Sequence, residues 1–500
     1  RGRHLAFYLA LAEAAQPDLR HHGQVIWLKR LEHETDNFRA ALDWALKTED
    51  AQSALRLSGA LFEYWKIRSY EIEGRPWLLA ALGLPDSRGP LASSAWRARA
   101  LLGAGWCLSA LAGYAAPASP APVELEESLS LYRELGDRAG MATALLYLGL
   151  LAAYSNTPAS ALALLNEALE LWTAVDDKTG IGQCLNALGE AFHQDGKGAR
   201  AGEYHQRSLV LLRDQGDLRS QMKSLYSLAI GGWLEGDGAG ARARFAENLV
   251  GYAELGYLPG TYMTLSNLFG IAVAQGHYAQ ARAIALDIQK LDWDRALAGG
   301  HMRLGQVDYW QGDLAEARAH FETGLMMFRK LQDQNGIIWA PTWLGCVAYR
   351  FGDLDEAQAL IEQGLAPQNP GDEWSELAFA LLSRGDTARA QGQPVAAAEC
   401  YARSLRSVVE NNSQPDVAAR LEGFAKLAAL AQLPQRAGRL FGAAEALRDR
   451  IDIPIPPIER SDYDGSVALV RSQFDQVAFS AAWAEGRAWT WAQGAAHALE

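Results

Sequence analysis

Apolar residues recur along this chain with the spacing of one face of a helix. In successive stretches two leucines stand three residues apart, and we number them as positions 4 and 7 of a repeating unit: Leu145 and Leu148, Leu185 and Leu188, Leu225 and Leu228, and Leu265 and Leu268. Spacings of three and four residues belong to an α-helix, whereas a half-buried strand would alternate polar and apolar residues. The pattern therefore predicts helices.

An alanine marks one phase of the same pattern, at position 20 of each unit. Eight alanines share this phase: Ala161, Ala201, Ala241, Ala281, Ala317, Ala357, Ala397 and Ala437. The interval between them is 40 residues, apart from one interval of 36 between Ala281 and Ala317. Position 8, twelve residues earlier, is mostly glycine or alanine. A fixed period of this length predicts an array of repeats, in which each unit packs on its neighbours.

Each unit reads as a pair of helices. A glycine five residues before the alanine is expected to end the first helix in the left-handed conformation, at Gly196, Gly236, Gly276, Gly312, Gly352 and Gly392. Asp313 and Asp353 follow two of these glycines and are placed to cap the second helix. Small residues at positions 8 and 20 predict a close crossing of the two helices, and larger residues at positions 4, 7 and 24 fill the space around it. We expect Gly180, Gly260 and Gly336 to lie in the turns between units.

These patterns predict an all-α fold, a right-handed α-solenoid of about ten helix pairs with helical caps. Residues 1–50 are expected to form entry helices, the second of them near 25–48. The helix pairs are expected to cover residues 51–445, with degenerate repeats in 51–135 and regular repeats in 136–445. A proline-rich stretch then breaks the pattern, and residues 446–500 are expected to form a C-terminal helical cap.

Composition and charge limit the partners and the cellular environment that we expect for this chain. The chain has 500 residues, a net charge of −13 and no basic run, so we expect no direct contact with nucleic acid. The four cysteines are far apart, which favours a reduced, cytoplasmic environment. The uncharged stretch 100–123 is interrupted by Pro117, Pro120 and Pro122, and we expect a buried helix there and no membrane span. Because the chain starts without methionine or a signal core, we expect a fragment or a processed product.

The sequence contains none of the common catalytic or cofactor-binding motifs that we considered. HExxH, GxSxG and the GxxxxGK[ST] phosphate loop are absent, so neither a metal nor a nucleotide is expected as a cofactor. His21, His22 and His33 lack a second metal ligand at helical spacing. The glycine cluster 236–240 falls at the turn between two helices of one unit. We expect no enzyme activity in this chain.

The units resemble the tetratricopeptide repeat family. Leu-Gly at positions 7 and 8, and small–aromatic–small residues at positions 20, 24 and 27, match that family's pattern, as in Ala317, Phe321 and Gly324. The chain departs from the family in its period, which is mostly 40 rather than 34 residues, and in the alanine that often replaces tyrosine at position 11.

The two ends resemble bacterial signal-transduction ATPases of the STAND class, in which an NB-ARC-type module precedes tetratricopeptide repeats. The stretches that carry this resemblance are 27–46, 439–448, 456–457 and 481–487. Members often carry LuxR-type or similar DNA-binding domains, as SARP-type regulators do. The resemblance implies a sensor arm that binds a peptide, protein or small-molecule inducer and controls an ATPase module elsewhere in the full-length protein. The alternative is a constitutive scaffold or co-chaperone-like adaptor that holds its partners without switching.

The concave surface of such a stack is formed by the first helices, through positions 2, 5, 9, 12 and 13. Reading these positions gives the candidate ligand-binding residues Asn186, Glu190, His193, Tyr226, Trp233, Met302, Gln306, Tyr309, Trp310, Trp339, Thr342, Tyr349 and Arg350. Aromatic rings and a few polar groups facing a groove are typical of small-molecule and peptide sites. The cluster from Met302 to Arg350 is the favoured site, and the alternative is that its rings pack between repeats. Asp308 is expected to pair with Arg303 or Arg350 or to bind a polar group of the ligand.

Overall fold

A computed structural model describes residues 1–89, 94–112, 122–155, 157–366 and 374–500. In these ranges the chain forms 27 α-helices and one short 3-10 helix, Asp18–Arg20, and no strand. The α-helices are α1 Gly2–Ala15, α2 Gln24–His33, α3 Thr35–Lys47, α4 Ala51–Arg68, α5 Glu71–Gly83, α6 Pro85–Arg88, α7 Ala95–Ala112, α8 Val123–Leu135, α9 Arg138–Tyr154, α10 Pro158–Ala174, α11 Lys178–Gln194, α12 Gly198–Gln215, α13 Leu218–Leu234, α14 Gly238–Leu255, α15 Leu258–Ala274, α16 Tyr278–Gln289, α17 Asp294–Gln311, α18 Leu314–Leu331, α19 Gln334–Phe351, α20 Leu354–Gly364, α21 Trp374–Ala390, α22 Pro394–Glu410, α23 Gln414–Leu430, α24 Pro434–Ile451, α25 Pro457–Gln473, α26 Gln476–Arg487 and α27 Trp491–Leu499.

The helices belong to two compact units. The first unit consists mainly of Arg1–Leu228 and Ala246–Thr261, and the second consists of Ala229–Phe245 and most of the described residues from Tyr262 to Glu500. In the first unit α4 packs on α5, α7 on α8, α9 on α10 and α11 on α12. In the second unit α17 packs on α18, α19 on α20, α21 on α22 and α23 on α24. The fold is thus an all-α array of tetratricopeptide-like helix pairs, as the period predicts.

The eight alanines at position 20, which we call the register alanines, lie at the closest crossing of the two helices in a pair. All eight are buried, with at most 4% of their surface exposed. Opposite Ala357 stands Gly345, and a Cβ placed on Gly345 would lie 3.0 Å from the Ala357 carbonyl oxygen. The apolar residue at position 24 covers the same glycine, since that Cβ would also lie 2.7 Å from Ile361 Cγ1. The predicted packing of positions 8, 20 and 24 is confirmed.

The turn within each pair also follows the prediction. All six glycines at this point have a positive φ, from 70° at Gly196 to 97° at Gly312. That conformation is strained for residues with a Cβ. Asp353 caps α20, since its side chain accepts a hydrogen bond from the Glu356 backbone N–H at 3.1 Å. Asp313 occupies the corresponding position before α18 without this bond.

Two local predictions are corrected. Gly180, Gly260 and Gly336 lie inside the first turn of a helix, where aromatic rings from the preceding helix or turn leave no room for a Cβ; the ring of Trp172 covers Gly180 and that of Phe328 covers Gly336. The helix expected near residues 25–48 is interrupted at Glu34, between α2 and α3. The hydroxyl of Thr35 donates to the Glu32 carbonyl at 2.8 Å, which satisfies a free acceptor at the end of α2.

The uncharged stretch 100–123 begins within α7, which packs against α4, α5 and α8. Pro117 and Pro120, expected to end this stretch, lie outside the described residues. Within the described residues, no helix combines the length and apolar character needed to cross a bilayer. Over the same ranges, no group of three or more His, Cys, Asp or Glu side chains is arranged to hold a metal ion. The domain boundaries at residues 50, 135 and 445 stay predictions.

Candidate functional site

The second unit contains a cavity of about 180 Å³ between the first helices of its repeats and a segment near the C-terminus. Because one water needs about 10–15 Å³ on this measure, the cavity has room for on the order of a dozen waters. Eight helices contribute to the lining, namely α15, α17, α19, α20, α21, α23, α24 and α25. Aromatic rings and charged groups share its surface, a mixture that suits an amphipathic small ligand.

The aromatic part of the lining comes from positions 2, 12 and 13 of successive units. Tyr309 and Trp310 stand in the last turn of α17, Tyr349 stands in the last turn of α19, and Phe379 lies near the start of α21. Tyr309 and Trp310 contact each other edge to face, with ring centroids 5.0 Å apart. Both rings also approach Trp343, which anchors them to the core between the repeats. The rings are therefore held in place by core packing.

The opposite wall of the cavity is the segment 453–459, which we call the proline segment. Ile453, Pro454, Pro456 and Glu459 from this segment line the cavity. Residues 453–456 belong to no helix, because Pro454, Pro456 and Pro457 disfavour helix in the residue before each of them. The guanidinium of Arg448 holds the segment through the carbonyls of Ile453 and Pro454, each at 3.4 Å.

One ion pair connects the two walls. Nη2 of Arg350 on α19 lies 3.7 Å from Oε1 of Glu459, which is longer than a hydrogen bond. Arg350 also donates from Nε to the Tyr309 hydroxyl at 3.1 Å. Burial raises the pKa of Glu459 above its ordinary value, against the lowering effect of Lys426 and Arg350. The cavity thus contains a loosely paired carboxylate and guanidinium.

Arg420, two further carboxylates and a thiol belong to the remaining polar lining. Arg420 is buried and donates to the Ser404 hydroxyl at 3.0 Å and to the Asp416 carbonyl at 2.9 Å. Burial lowers the pKa of its guanidinium. The Cys346 thiol lies 3.3 Å from the Ser383 hydroxyl, and burial raises the pKa of that thiol to about 12. A thiol with this pKa is protonated at neutral pH and is a poor nucleophile.

Of the residues predicted for the groove, the structure brings Tyr309, Trp310, Tyr349 and Arg350 together at this cavity. Trp339 is half-buried elsewhere in the second unit, where the Arg303 guanidinium lies 4.6 Å from its ring centroid. Trp233 is half-buried and packs against the C-terminal hydrophobic core. Neither of these two tryptophans is among the described residues that line the cavity.

The candidates at positions 5 and 9 are less accessible than the groove assignment supposes. Asn186, Met302 and Thr342, all at position 5, are buried, and so is Gln306 at position 9. Met302 faces the small position 27 of its own pair, where a Cβ on Gly324 would lie 2.9 Å from its Sδ. Thr342 faces Gly364 in the same way. Position 5 therefore faces the second helix of the pair and not an open groove.

The remaining candidates belong to the first unit. Asn186 donates from Nδ2 to the Ser224 hydroxyl at 2.7 Å, and Glu190 and Tyr226 are half-buried, while His193 is exposed. Burial lowers the pKa of the Lys223 ammonium to about 8; the neighbouring Arg219 lowers it further, and Glu190 opposes both.

Asp308 pairs with residues other than those expected. It is 3% exposed and receives a hydrogen bond from Arg282 at 2.5 Å, while Nε2 of His320 lies 3.8 Å from its other oxygen. Arg282 comes from the preceding helix pair, so this ion pair joins neighbouring repeats. A ligand is not needed to balance the carboxylate.

Sequence reasoning missed the part of the site that lies beyond Arg350. Phe379 and Asp386 occupy positions 2 and 9 of the next unit, so extending the same reading by one repeat would have found them. Arg420 stands at position 3, outside the positions considered. The proline segment follows the last repeat, and no register relates it to the groove.

No protein-family model matches the chain. A region of 148 residues, or 29% of the chain, is 31% identical to a protein of Mycobacterium bovis named as an HTH-type transcriptional regulator. A protein of Mycobacterium tuberculosis with the same description matches equally well. The match spans 17% of the length of these relatives.

Solved structures of helical-repeat proteins superpose on the chain at low identity. The apo form of RapI has a TM-score of 0.48 and 12% identity, over 71% of this chain and 97% of that one. The quorum sensor NprR from B. thuringiensis has a TM-score of 0.41 and 14% identity, over 65% and 94%. A STAND protein with a tetratricopeptide repeat sensor, from Pyrococcus horikoshii, has a TM-score of 0.31 and 11% identity, over 76% and 54%. These values assign no activity to this chain.

Proposed function

We propose that this chain is a ligand-sensing domain of a larger regulatory protein, and that its ligand binds in the cavity of the second unit. The observation that carries the proposal is the composition of the cavity wall. Rings from three successive repeats, the loosely paired Arg350 and Glu459, and the proline segment all line one cavity. Such a site combines apolar area with a few fixed polar groups, as ligand sites do.

The arrangement also supplies a route from binding to response. One side of the cavity consists of repeat helices and the other side is the proline segment, whose last residues form the first turn of α25. A ligand that contacts both sides favours the arrangement in which they are held together. Its differential affinity for that arrangement would set the size of the response.

The regulatory context rests on separate grounds. The mycobacterial relatives are named as HTH-type transcriptional regulators, and the match to them spans 17% of their length. The resemblance of both ends to STAND proteins points in the same direction. We propose that the full-length protein joins this domain to an ATPase module and to an effector, and that the domain itself works in the cytoplasm without catalysing a reaction.

Native mass spectrometry of the purified chain tests the proposal, with Trp310→Ala and Trp339→Ala as a matched pair. Both tryptophans are half-buried in the same hydrophobic cluster, but only Trp310 lines the cavity. We expect a small molecule or short peptide bound to the parent chain and to Trp339→Ala, and at least tenfold less of it on Trp310→Ala. Equal retention by both variants would remove the cavity as the binding site. An empty cavity that takes up no compound from a cell extract would favour a constitutive scaffold.

A further inference from the structure

Glu459 differs from the other carboxylates around the cavity in having few partners. Tyr401 donates a hydrogen bond of 2.7 Å to Asp386. Arg448 holds Glu422 with two hydrogen bonds. Over the described residues, Glu459 accepts no side-chain hydrogen bond and has one ion-pair partner, Arg350 at 3.7 Å.

The cations near Glu459 are already engaged with other groups. Lys426 donates to Asp462 at 2.7 Å, and Arg389 lies 3.3 Å from the same carboxylate. Arg448 is occupied by Glu422, and Arg420 by Ser404 and Asp416. Arg350 directs Nε to the Tyr309 hydroxyl, and over the described residues its two Nη groups make no hydrogen bond. Acceptor sites on Glu459 and donor sites on Arg350 therefore remain open side by side.

A ligand group that forms hydrogen bonds with both Glu459 and Arg350 must carry a donor and an acceptor close together. A half-buried carboxylate such as Glu459 pairs well with a charged N–H donor, and a guanidinium pairs well with a carbonyl or carboxylate oxygen. An α-aminoacyl group has both on neighbouring atoms, with an ammonium on Cα and a carbonyl attached to it. The adjacent rings of Tyr309, Trp310 and Tyr349 provide an apolar surface for its side chain and a negative π-face for its ammonium.

We infer that Arg350 and Glu459 together recognise an α-aminoacyl group with a free amine, whose ammonium donates to Glu459 and whose carbonyl accepts from Arg350. This inference rests on the proposed function, because it names the chemical class of ligand for the same cavity. The group can come from a free amino acid or from the amino-terminal residue of a short peptide. The volume of the cavity accommodates either source.

The test compares chemically matched probes on the parent chain. Native mass spectrometry and isothermal titration calorimetry are used with the twenty free amino acids, an equimolar library of unmodified dipeptides, the same library with N-acetylated amines, and the same library with amidated carboxyl ends. We expect retention of members with a free amine and loss of at least tenfold in affinity on N-acetylation. If the chain retains dipeptides with amidated carboxyl ends, the α-aminoacyl group comes from the amino terminus of a peptide. If it retains free amino acids and no dipeptide, the group comes from a free amino acid.

The variant test uses Glu459→Gln, which keeps the shape of the side chain and removes its charge. Asp464→Asn is the matched control, because Asp464 is an exposed carboxylate on the same helix. We expect Glu459→Gln to weaken binding of the retained probe by at least tenfold and Asp464→Asn to leave it unchanged. Equal binding of free and N-acetylated probes, or unchanged affinity in Glu459→Gln, would overturn the inference, and the probe comparison stands even where the variant folds poorly.

The outcomes separate this inference from the proposed function. A co-purified ligand that lacks an aminoacyl group, and that Trp310→Ala removes, would overturn the inference and leave the sensing function intact. If no probe and no cellular compound binds to the parent chain, the sensing function fails and the inference fails with it.

Discussion

Arg448 and Glu422 form a bidentate ion pair inside the second unit, with Nε–Oε1 at 2.6 Å and Nη2–Oε2 at 2.9 Å. Both side chains are buried, and they join α23 to α24. The same guanidinium holds the carbonyls of Ile453 and Pro454 through Nη1. One buried cation thus stabilises the last helix pair and also positions one wall of the cavity.

Replacement of Arg448 is expected to affect both stability and ligand binding. Arg448→Met leaves Glu422 buried without a partner, which costs about 3–5 kcal/mol in the free energy of unfolding. The double variant Arg448→Met with Glu422→Leu removes the stranded charge and should regain most of that stability. The cavity wall stays unanchored in the double variant, so ligand binding should remain weak. Urea denaturation followed by calorimetry checks both parts, and full recovery of binding would contradict the positioning role.

The register alanines should tolerate no larger side chain. Ala357→Leu places three extra carbons at the crossing with Gly345 and should cost about 1–3 kcal/mol. Ala359→Leu on the same helix is the control, because Ala359 is exposed and the same atoms would reach solvent. Thermal melts of the two variants should differ clearly. Equal melting temperatures would show that the crossing can relax.

Substitution by alanine at two exposed glycines should change the free energy of unfolding in opposite directions. Gly352 has a φ of 87°, and Gly270 lies inside α15; a Cβ on either would meet no atom within 4 Å. Gly352→Ala should destabilise by about 1–2 kcal/mol, because the left-handed conformation is strained for alanine. Gly270→Ala should stabilise by about 0.5–1 kcal/mol through the helix propensity of alanine. Denaturant midpoints check the signs, and a shared sign would contradict the backbone argument.

The architecture could be predicted from the sequence because the residues that determine each helix pair lie close together along the chain. Each unit fixes its own helix pair, so Ala357, Gly345 and Gly352 carry the information for packing and turn within about 20 residues of one another. The groove was harder to predict, since a residue faces it only where the neighbouring repeat leaves space. Met302 and Tyr309 both belong to predicted groove positions, yet a small residue at Gly324 draws Met302 inward.

The remaining part of the site depends on tertiary contacts that no periodic pattern records. Glu459 forms an ion pair with Arg350, although more than 100 residues of chain separate the two. Arg448, in the last repeat, holds the proline segment that contains Glu459. The proline-rich stretch showed only where the repeats end. Its position against the helices that line the cavity follows from hydrogen bonds and ion pairs of individual residues.

His205 gives a prediction about pH. It stands at position 24 of its unit, is buried over Gly189, and has no hydrogen-bond partner for Nδ1 over the described residues. Burial lowers the pKa of its imidazole to about 4; Glu190 opposes this shift, and His193 and Lys223 add to it. The unfolded chain, with an ordinary histidine pKa of about 6.5, binds more protons between these values.

The sign of the effect follows from that difference in proton binding. Above about pH 6.5 the imidazole is neutral in both states and imposes no penalty, whereas from pH 6.5 down to about 4 the free energy of unfolding should fall by roughly 3 kcal/mol. His205→Phe should remove this component and stabilise the chain at pH 5, because Phe321 fills position 24 against Gly305 in the same way. His33→Asn, at an exposed site away from His205, is the control and should keep the parent slope. Urea unfolding from pH 4.5 to 7.5 checks the difference, and parallel curves for the parent and His205→Phe would show that the pKa of His205 is the same in the folded and unfolded chain.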